Sequence, residues 1–436
     1  MLGSEHNCSE SEDALVNPRI KQWKEDTWNS IATMTQTPTG LPDDRIDFGR
    51  NSLTLKYSGC TSPTNIGLLL DDYVAAVDLG IISEEIACKG IAQIIASVQS
   101  MKRPMGMLPN KISVVTGEPV LVDPYSGCDV PQIISSVEMG WFLLGLEITK
   151  QAFPQFESQI NPLISEMNFK PLFDESTGLF FGHICLETGE KSPHHYDLQN
   201  SETRILAYLA DIMGLSSKEC LSKLVGRPAC APRTNNNGLD VVPSCGGTMF
   251  EAAWPMQFFR GELTSPPRRN NHFIYMQRQL MYGGVDCCVN PSLEEADLDP
   301  RHRSTEDSEA QYPYELFGIP ELGVFPYHLN GVRNPQASLL ALPLLFNEAV
   351  NNLTWLQINF PAIYKEDFGF MDAVDIRKKK RRVAITQIFP TQAAAFLGIF
   401  NRLTNWKMHD YVDAVQPQLT SLLENPAFFY CDPDGI

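Results

Sequence analysis

The sequence predicts an all-α protein: a closed barrel of paired helices, with an inner ring wrapped by an outer one. Three observations lead there. Apolar residues recur at helical spacing in about a dozen segments. The segments follow one another in order, with long polar loops between alternate pairs. Their period is too irregular for a solenoid of short repeats. In such a barrel the long loops and short hairpins gather at one end and carry function.

The elements follow from local chemistry. Residues 1–13 are polar and acidic and read as a frayed tail, with one barrel domain over 14–436. Helix pairs begin near Ala14. Ser62 before Pro63 is an N-cap followed by proline at the first helical position. Ile66, Leu69, Leu70, Tyr73 and Val74 then keep helical spacing until Gly80 ends the helix. Ser83 caps the next one, with Glu84 and Glu85 at its positive end. Further helices are expected over 131–151, 154–167, 201–213, 217–224, 248–260, 267–282, 335–351, 352–364, 391–404 and 408–424. Ser216-x-x-Glu219 reads as a capping box after Gly214. Residues 102–130 read as a long loop, and 112–123 and 178–187 as Gly-bounded hairpins.

Composition narrows the function. The 436 residues carry 34 Lys+Arg against 52 Asp+Glu, a net charge of −18. That balance disfavours nucleic acid and anionic membrane as partners, both of which need a basic footprint. No run of 18 apolar residues is present, and Met1 to His6 lacks the pattern of a signal peptide. The 11 cysteines are scattered, contain no C-x-x-C, and read as reduced thiols, several of them core fillers. A cytoplasmic protein is expected, and Asn352-Leu353-Thr354 carries little weight as a glycosylation site. No phosphate-binding loop, dinucleotide fingerprint or H-E-x-x-H is present, so neither a cofactor nor a catalytic metal is expected.

Four tracts could carry chemistry. Ser201-Glu202-Thr203-Arg204, downstream of Tyr196-Asp197, puts a carboxylate at a helix start, which favours its ionised form. Acting as an acid would require burial or a second carboxylate. The plainer reading is a cap plus a Glu202–Arg204 surface pair. In Cys245-Gly246-Gly247-Thr248-Met249-Phe250-Glu251 the glycines permit close backbone approach to a ligand or a neighbouring segment. Glu251 there is either a pocket residue beside Trp254 or a helix-start carboxylate bonded to amides. Tyr312, Tyr314 and Glu315 offer the aromatic faces and carboxylate of a sugar site, or a proline-bounded loop packed on the barrel. Asp372 and Asp375 could line a mouth. Arg377 to Arg382, six cations in a row, reads as a solvated hairpin tip rather than an import signal.

Taken together and in order, these tracts resemble the glucoamylase-like middle domain of cyclic β-1,2-glucan synthases and, more distantly, bacterial endo-β-1,2-glucanases. The resemblance runs from Ser62 to Pro417. It rests on Ser62-Pro63-Thr64-Asn65-Ile66-Gly67, Ser135-Ser136-Val137-Glu138-Met139-Gly140-Trp141, Phe173-Asp174-Glu175 with Gly178-Leu179-Phe180, and Tyr196-Asp197 with Ser201 to Arg204. Gly247 to Glu251, Tyr314 with Phe317 to Gly323, and Gly369 to Asp375 complete it. The resemblance implies an (α/α)6 barrel and β-1,2-glucan hydrolysis or transglycosylation by carboxylates. Glu202 then aligns with the general acid, and Glu138, Trp141, Tyr196, Arg204, Glu251, Trp254, Tyr312, Tyr314, Glu315 and Asp372 fall on the pocket lining.

The chain also departs from that pattern. Counted without a gap, Glu294 takes the place of the nucleophile; with a three-residue gap Pro291 does, and the nucleophile is lost. Phe389-Pro390-Thr391-Gln392 stands where the glucanases carry a carboxylate, and Glu138 replaces an aspartate. Three functions follow. One is a glycosidase or transglycosylase using Glu202 with Glu294 or another nearby carboxylate, on an oligosaccharide. The second is a diverged barrel that uses Glu202 for acid-catalysed cyclisation or isomerisation of another small molecule. The third is a non-catalytic sugar-binding protein.

Overall fold

The computed structural model describes residues 18–48, 55–123, 127–226, 241–281, 287–289, 314–325, 332–376 and 382–429. Its helices, in chain order, are α1 (Pro18–Met34), α2 (Pro63–Asp78), α3 (Glu84–Ser100), α4 (Ser136–Ala152), α5 (Glu157–Glu166) and α6 (Ile205–Leu209). There follow α7 (Ser217–Leu221), α8 (Met249–Ala253), α9 (Gly261–Thr264), α10 (Pro266–Met281), α11 (Pro335–Ala341), α12 (Phe346–Asn359), α13 (Phe389–Thr404), α14 (Lys407–Val415) and α15 (Leu419–Glu424).

Six of these form a closed inner ring in the order α2, α4, α6, α8, α11, α13 and back to α2, with α8 packing on the 3-10 turn Glu202–Arg204 that leads into α6. Their outer partners are α3, α5, α7, α10, α12 and α1, the last packing on α13. The fold is therefore the expected (α/α)6 barrel. Its inner helices are apolar nearly all round, as helices buried on every side must be. On α2, Ile66, Leu68, Leu69 and Leu70 are all buried. Two glycines let α2 and α4 approach closely: a Cβ on Gly67 would lie 2.5 Å from the Trp141 carbonyl oxygen, and one on Gly145 would lie 2.4 Å from that of Gly67.

The two ends of the barrel differ. α14 crosses the end where the inner helices finish. There Tyr411 Oη donates to Asp78 Oδ2 at 2.9 Å, His409 Nε2 donates to the Met256 carbonyl at 2.9 Å, and Arg260 pairs with Asp410 and Asp413. The opposite end, where the inner helices start, carries short antiparallel strands. Arg45–Phe48 pairs with Thr386–Ile388 on one side and Leu55–Tyr57 on the other.

Most expected elements are present, with boundaries moved for identifiable reasons. Ser62 and Ser83 accept from the Asn65 and Ile86 amides as caps. α4 starts only at Ser136, because Ile133–Ser135 is a strand. Pro255 cuts the expected 248–260 helix to α8 and a short 3-10 turn, since it lacks the N–H the helix needs. Pro343 likewise moves the break between α11 and α12 to residues 342–345 rather than 351. Residues 178–187 are not one hairpin. Leu179–Phe181 pairs with Phe173–Asp174 and His195–Tyr196, whereas His183–Cys185 pairs with Ile133–Ser135. Gly182 is the hinge: it donates to the His194 carbonyl at 3.1 Å and accepts from the Ser136 amide at 3.1 Å.

Cys60 and Cys220 fill core positions, and burial pushes their thiols up to about 12 and about 11. Asn352 donates to Ser338 Oγ at 2.7 Å from within α12. The strands flanking the basic run pair as a hairpin, Val374 with Val383 and Asp375 with Arg382. Residues 1–13 and 377–381 lie outside the described residues.

Candidate active site

The inner helices begin at one end of the barrel, and their N-terminal turns bring polar side chains there. Three of these turns matter most: Ser135 to Glu138, Ser201 to Glu202, and Thr248 to Glu251.

Glu202 occupies the first position of a 3-10 turn, Glu202–Arg204, that leads into α6. It is half-buried, and Ser201 Oγ donates to its Oε2 at 2.8 Å. Burial, and next the Glu251 carboxylate, raise its proton affinity to about 7. Ser201, its own amide and Arg204 pull the other way and are outweighed. The two glutamates share one environment but not one set of partners. Glu251 Oε2 accepts from Ser244 Oγ at 2.7 Å, Thr248 Oγ1 at 2.9 Å and the Thr248 amide at 3.1 Å, and the Gly246 amide lies 3.0 Å from both oxygens. Hydrogen bonds of this kind favour the charged form. Burial raises the proton affinity of Glu251 as well, and these hydrogen bonds work against that rise, so Glu202 is the member of the pair that holds its proton more readily.

The Gly246-Gly247 step that precedes α8 approaches protein. Gly247 has φ +83°, and a Cβ there would lie 2.2 Å from the Ile319 carbonyl. Of the two readings of Glu251, the structure thus builds the helix-start carboxylate: Thr248 and Glu251 form a reciprocal capping box. The [ST]-x-x-E spacing was legible in the sequence.

Glu138 is half-buried at the start of α4, where its Oε2 accepts from the Thr64 amide at 3.0 Å. Burial raises its proton affinity, against hydrogen bonds from Thr64 and Ser62. Tyr196, on the strand beside this turn, has its phenol shifted upward by burial, then by Glu202 and Glu138, while Ser135 bonds it. Tyr196 thus stands within electrostatic reach of both carboxylates. Asp44 adjoins this corner, accepting from Asn65 Nδ2 at 2.8 Å.

The remaining sequence candidates are placed differently. Arg204 is not a surface partner of Glu202. It is 1% exposed, and its Nε donates to Glu262 Oε1 at 2.6 Å inside the barrel wall. Trp141 and Trp254 are 2% and 1% exposed and stack on each other with centroids 4.6 Å apart, so their faces are covered by protein. Asp372 is fully buried and accepts from Thr391 Oγ1 at 3.2 Å. Asp375 is buried as well. Tyr314 and Glu315 lie on a strand, Tyr314–Leu316, that pairs with Cys287–Val289. Glu294 and Tyr312 lie outside the described residues. At the start of α13, Gln392 Nε2 donates to the Phe370 carbonyl at 2.9 Å. Sequence reasoning missed Ser244 and Glu262, whose partners lie 7 and 58 residues away and leave no local signal.

Among the described residues no group of three or more His, Cys, Asp or Glu side chains is arranged to hold a metal ion, and no helix is long and apolar enough to cross a membrane.

The closed double ring of helices, with its polar rim at one end, defines an (α/α)6 barrel. The structure aligns with a candidate glucoamylase from Bacteroides fragilis at a TM-score of 0.70 and 14% identity, covering 97% of this chain and 98% of that one. It aligns with an endo-β-1,2-glucanase from Chitinophaga pinensis, solved with sophorotriose and glucose, at 0.69 and 12% identity, covering 95% and 97%. An endo-β-1,2-glucanase from Talaromyces funiculosus, solved as a variant with β-1,2-glucan, aligns at 0.66 and 13% identity, covering 96% and 92%. At these identities the likeness establishes the fold. By sequence, residues 22–205 match a family described as "Protein of unknown function (DUF3131)". No curated protein matches.

Proposed function

We propose that the protein is a glycoside hydrolase- or transglycosylase-like enzyme acting on a glucan, β-1,2-linked in the first instance, with Glu202 as the general acid. One observation carries this reading. Glu202 binds its proton up to about 7 because burial and the neighbouring Glu251 both raise its proton affinity, while Glu251 is the more heavily hydrogen-bonded carboxylate of the two. Separating the proton affinities of two adjacent carboxylates is how such enzymes keep an acid available at neutral pH. Protonation of a glycosidic oxygen by Glu202 would let the leaving sugar depart as an alcohol. A second carboxylate then serves as base or nucleophile, and its distance from the acid decides between inversion and retention. Glu138 and Glu294 are the candidates for that role. The structural relatives crystallised with β-1,2-glucan or its oligosaccharides support the choice of substrate.

The test is incubation with linear β-1,2-glucan and mass spectrometry of the products, with Glu202→Gln in parallel. Shortened, cyclised or redistributed chains are expected from the wild type, with at least about a hundredfold loss in the variant, the scale of general acid catalysis. Undiminished turnover by Glu202→Gln removes the assignment.

A second reading is favoured by the start of α13, where Thr391 and Gln392 stand in the tract that carries a carboxylate in the glucanases. On that reading Glu202 donates its proton in a cyclisation or isomerisation of another small molecule. An inert β-1,2-glucan together with an active Glu202-dependent reaction on a non-glycan would establish it.

A further inference from the structure

Beneath the rim lies a fully buried polar cluster that the acid reading does not use. Arg204 is its centre. Its Nη1 donates to the Ser201 carbonyl at 2.9 Å and to the Glu251 carbonyl at 3.1 Å, and its Nη2 donates to the Ala252 carbonyl at 2.9 Å. Ser201 is the residue that caps Glu202. One guanidinium therefore grips the backbone of both carboxylate-bearing turns, which are 47 residues apart in sequence. Its remaining nitrogen, Nε, faces Glu262 of α9 at 2.6 Å and Tyr208 Oη at 3.2 Å. Glu262 also receives Tyr208 Oη and His272 Nε2, the latter at 2.7 Å. Arg268 donates to Tyr208 Oη at 3.1 Å and to the Phe428 carbonyl at 2.8 Å. Arg204 and Glu262 are each 1% exposed.

We propose that Arg204 and Glu262 form a positioning clamp: Arg204 fixes the spacing of the Glu202 and Glu251 turns through their carbonyls, and Glu262 cancels its charge so that the clamp does not strip Glu202 of its proton. The inference rests on Glu202 as the acid. A planar fork with five donors in fixed directions can hold three carbonyls and a carboxylate at once, which the three donors of a compact ammonium cannot. An uncompensated cation this close to a carboxyl lowers its proton affinity, and Arg204 already pulls Glu202 in that direction. The charged and titratable groups facing Glu202 are Glu251 from α8, Tyr196 from the adjoining strand, and Arg204 itself. Those facing Glu262 are Arg204, Tyr208, Arg268 and His272.

The experiment compares wild type, Glu262→Gln, Glu262→Asp and Arg204→Lys by pH–rate profile on linear β-1,2-glucan. It also titrates the Glu202 carboxyl by 13C NMR, assigned by difference with Glu202→Gln. In Glu262→Gln the alkaline limb and the NMR midpoint are expected to move to lower pH by about one unit or more, the effect of one nearby cation. Glu262→Asp, which keeps the charge, is expected to return both towards wild type. Arg204→Lys keeps the charge but loses the fork: kcat falls at least about tenfold with KM within about twofold and the midpoint unmoved. It also carries the test if Glu262→Gln does not fold. A folded Glu262→Gln with an unmoved midpoint, or Arg204→Lys with wild-type kcat, overturns the clamp. Loss of the acid reading shows separately, as undiminished turnover in Glu202→Gln, and leaves the NMR midpoint as the readout of the clamp.

Discussion

The rim of the barrel and the cluster beneath it each bury a glutamate, and the two behave in opposite ways. Glu202 at the rim is half-buried and binds its proton up to about 7, whereas Glu262 is 1% exposed and is held well below the ordinary carboxylate range. Burial alone would predict the reverse order, since the deeper group loses more hydration. The neighbours decide it. Glu262 meets Arg204, His272 and Arg268, and Glu202 meets Glu251. A carboxylate among cations holds structure together; one beside another carboxylate holds a proton available for transfer.

The comparison can be broken from the structural side first. Glu262→Ala strands Arg204 in the barrel wall and should lower the unfolding free energy by about 3–5 kcal/mol, as removal of one partner of a buried pair does. Urea denaturation reads it, and a loss below about 1 kcal/mol would mean that solvent reaches the cluster.

The pH dependence of stability sharpens the contrast. The depressed Glu262 contributes stability that is present above its unfolded pKa of about 4.3 and is lost as pH falls through its folded value. The raised Glu202 works with the opposite sign: its contribution is full below about pH 4.3 and is lost as pH rises through about 7. Glu202→Gln should therefore match the wild type in acid and exceed it in thermal midpoint above neutrality. Parallel midpoints across that range would show that folding does not shift the Glu202 carboxyl.

The smallest effect is expected at Thr248, which both caps α8 and donates to Glu251. Thr248→Ala should cost about 0.5–2 kcal/mol, the value of an N-cap. It should also move the Glu202 midpoint downward, because Glu251 then binds its proton more readily and repels less. A midpoint unchanged or raised would place the source of the Glu202 shift elsewhere.

The sequence by itself determined the helices and the order in which they alternate between the two rings. It also determined the position of most caps, because apolar spacing and the Ser62, Ser83 and Ser216 signals act within a few residues. It put Glu202 at a helix start, and a family resemblance made it the acid. It erred where a proline or glycine redirected a segment, as at Pro255, Pro343 and Gly182. It also read Arg204, Trp141 and Trp254 as pocket residues, although helix periodicity cannot separate a side chain facing a mouth from one facing a neighbouring helix. Only the tertiary structure decided which carboxylate keeps its proton. That outcome depends on Glu251 lying beside Glu202 and Glu262 lying behind Arg204, and electrostatic energy follows distance in space rather than separation along the chain.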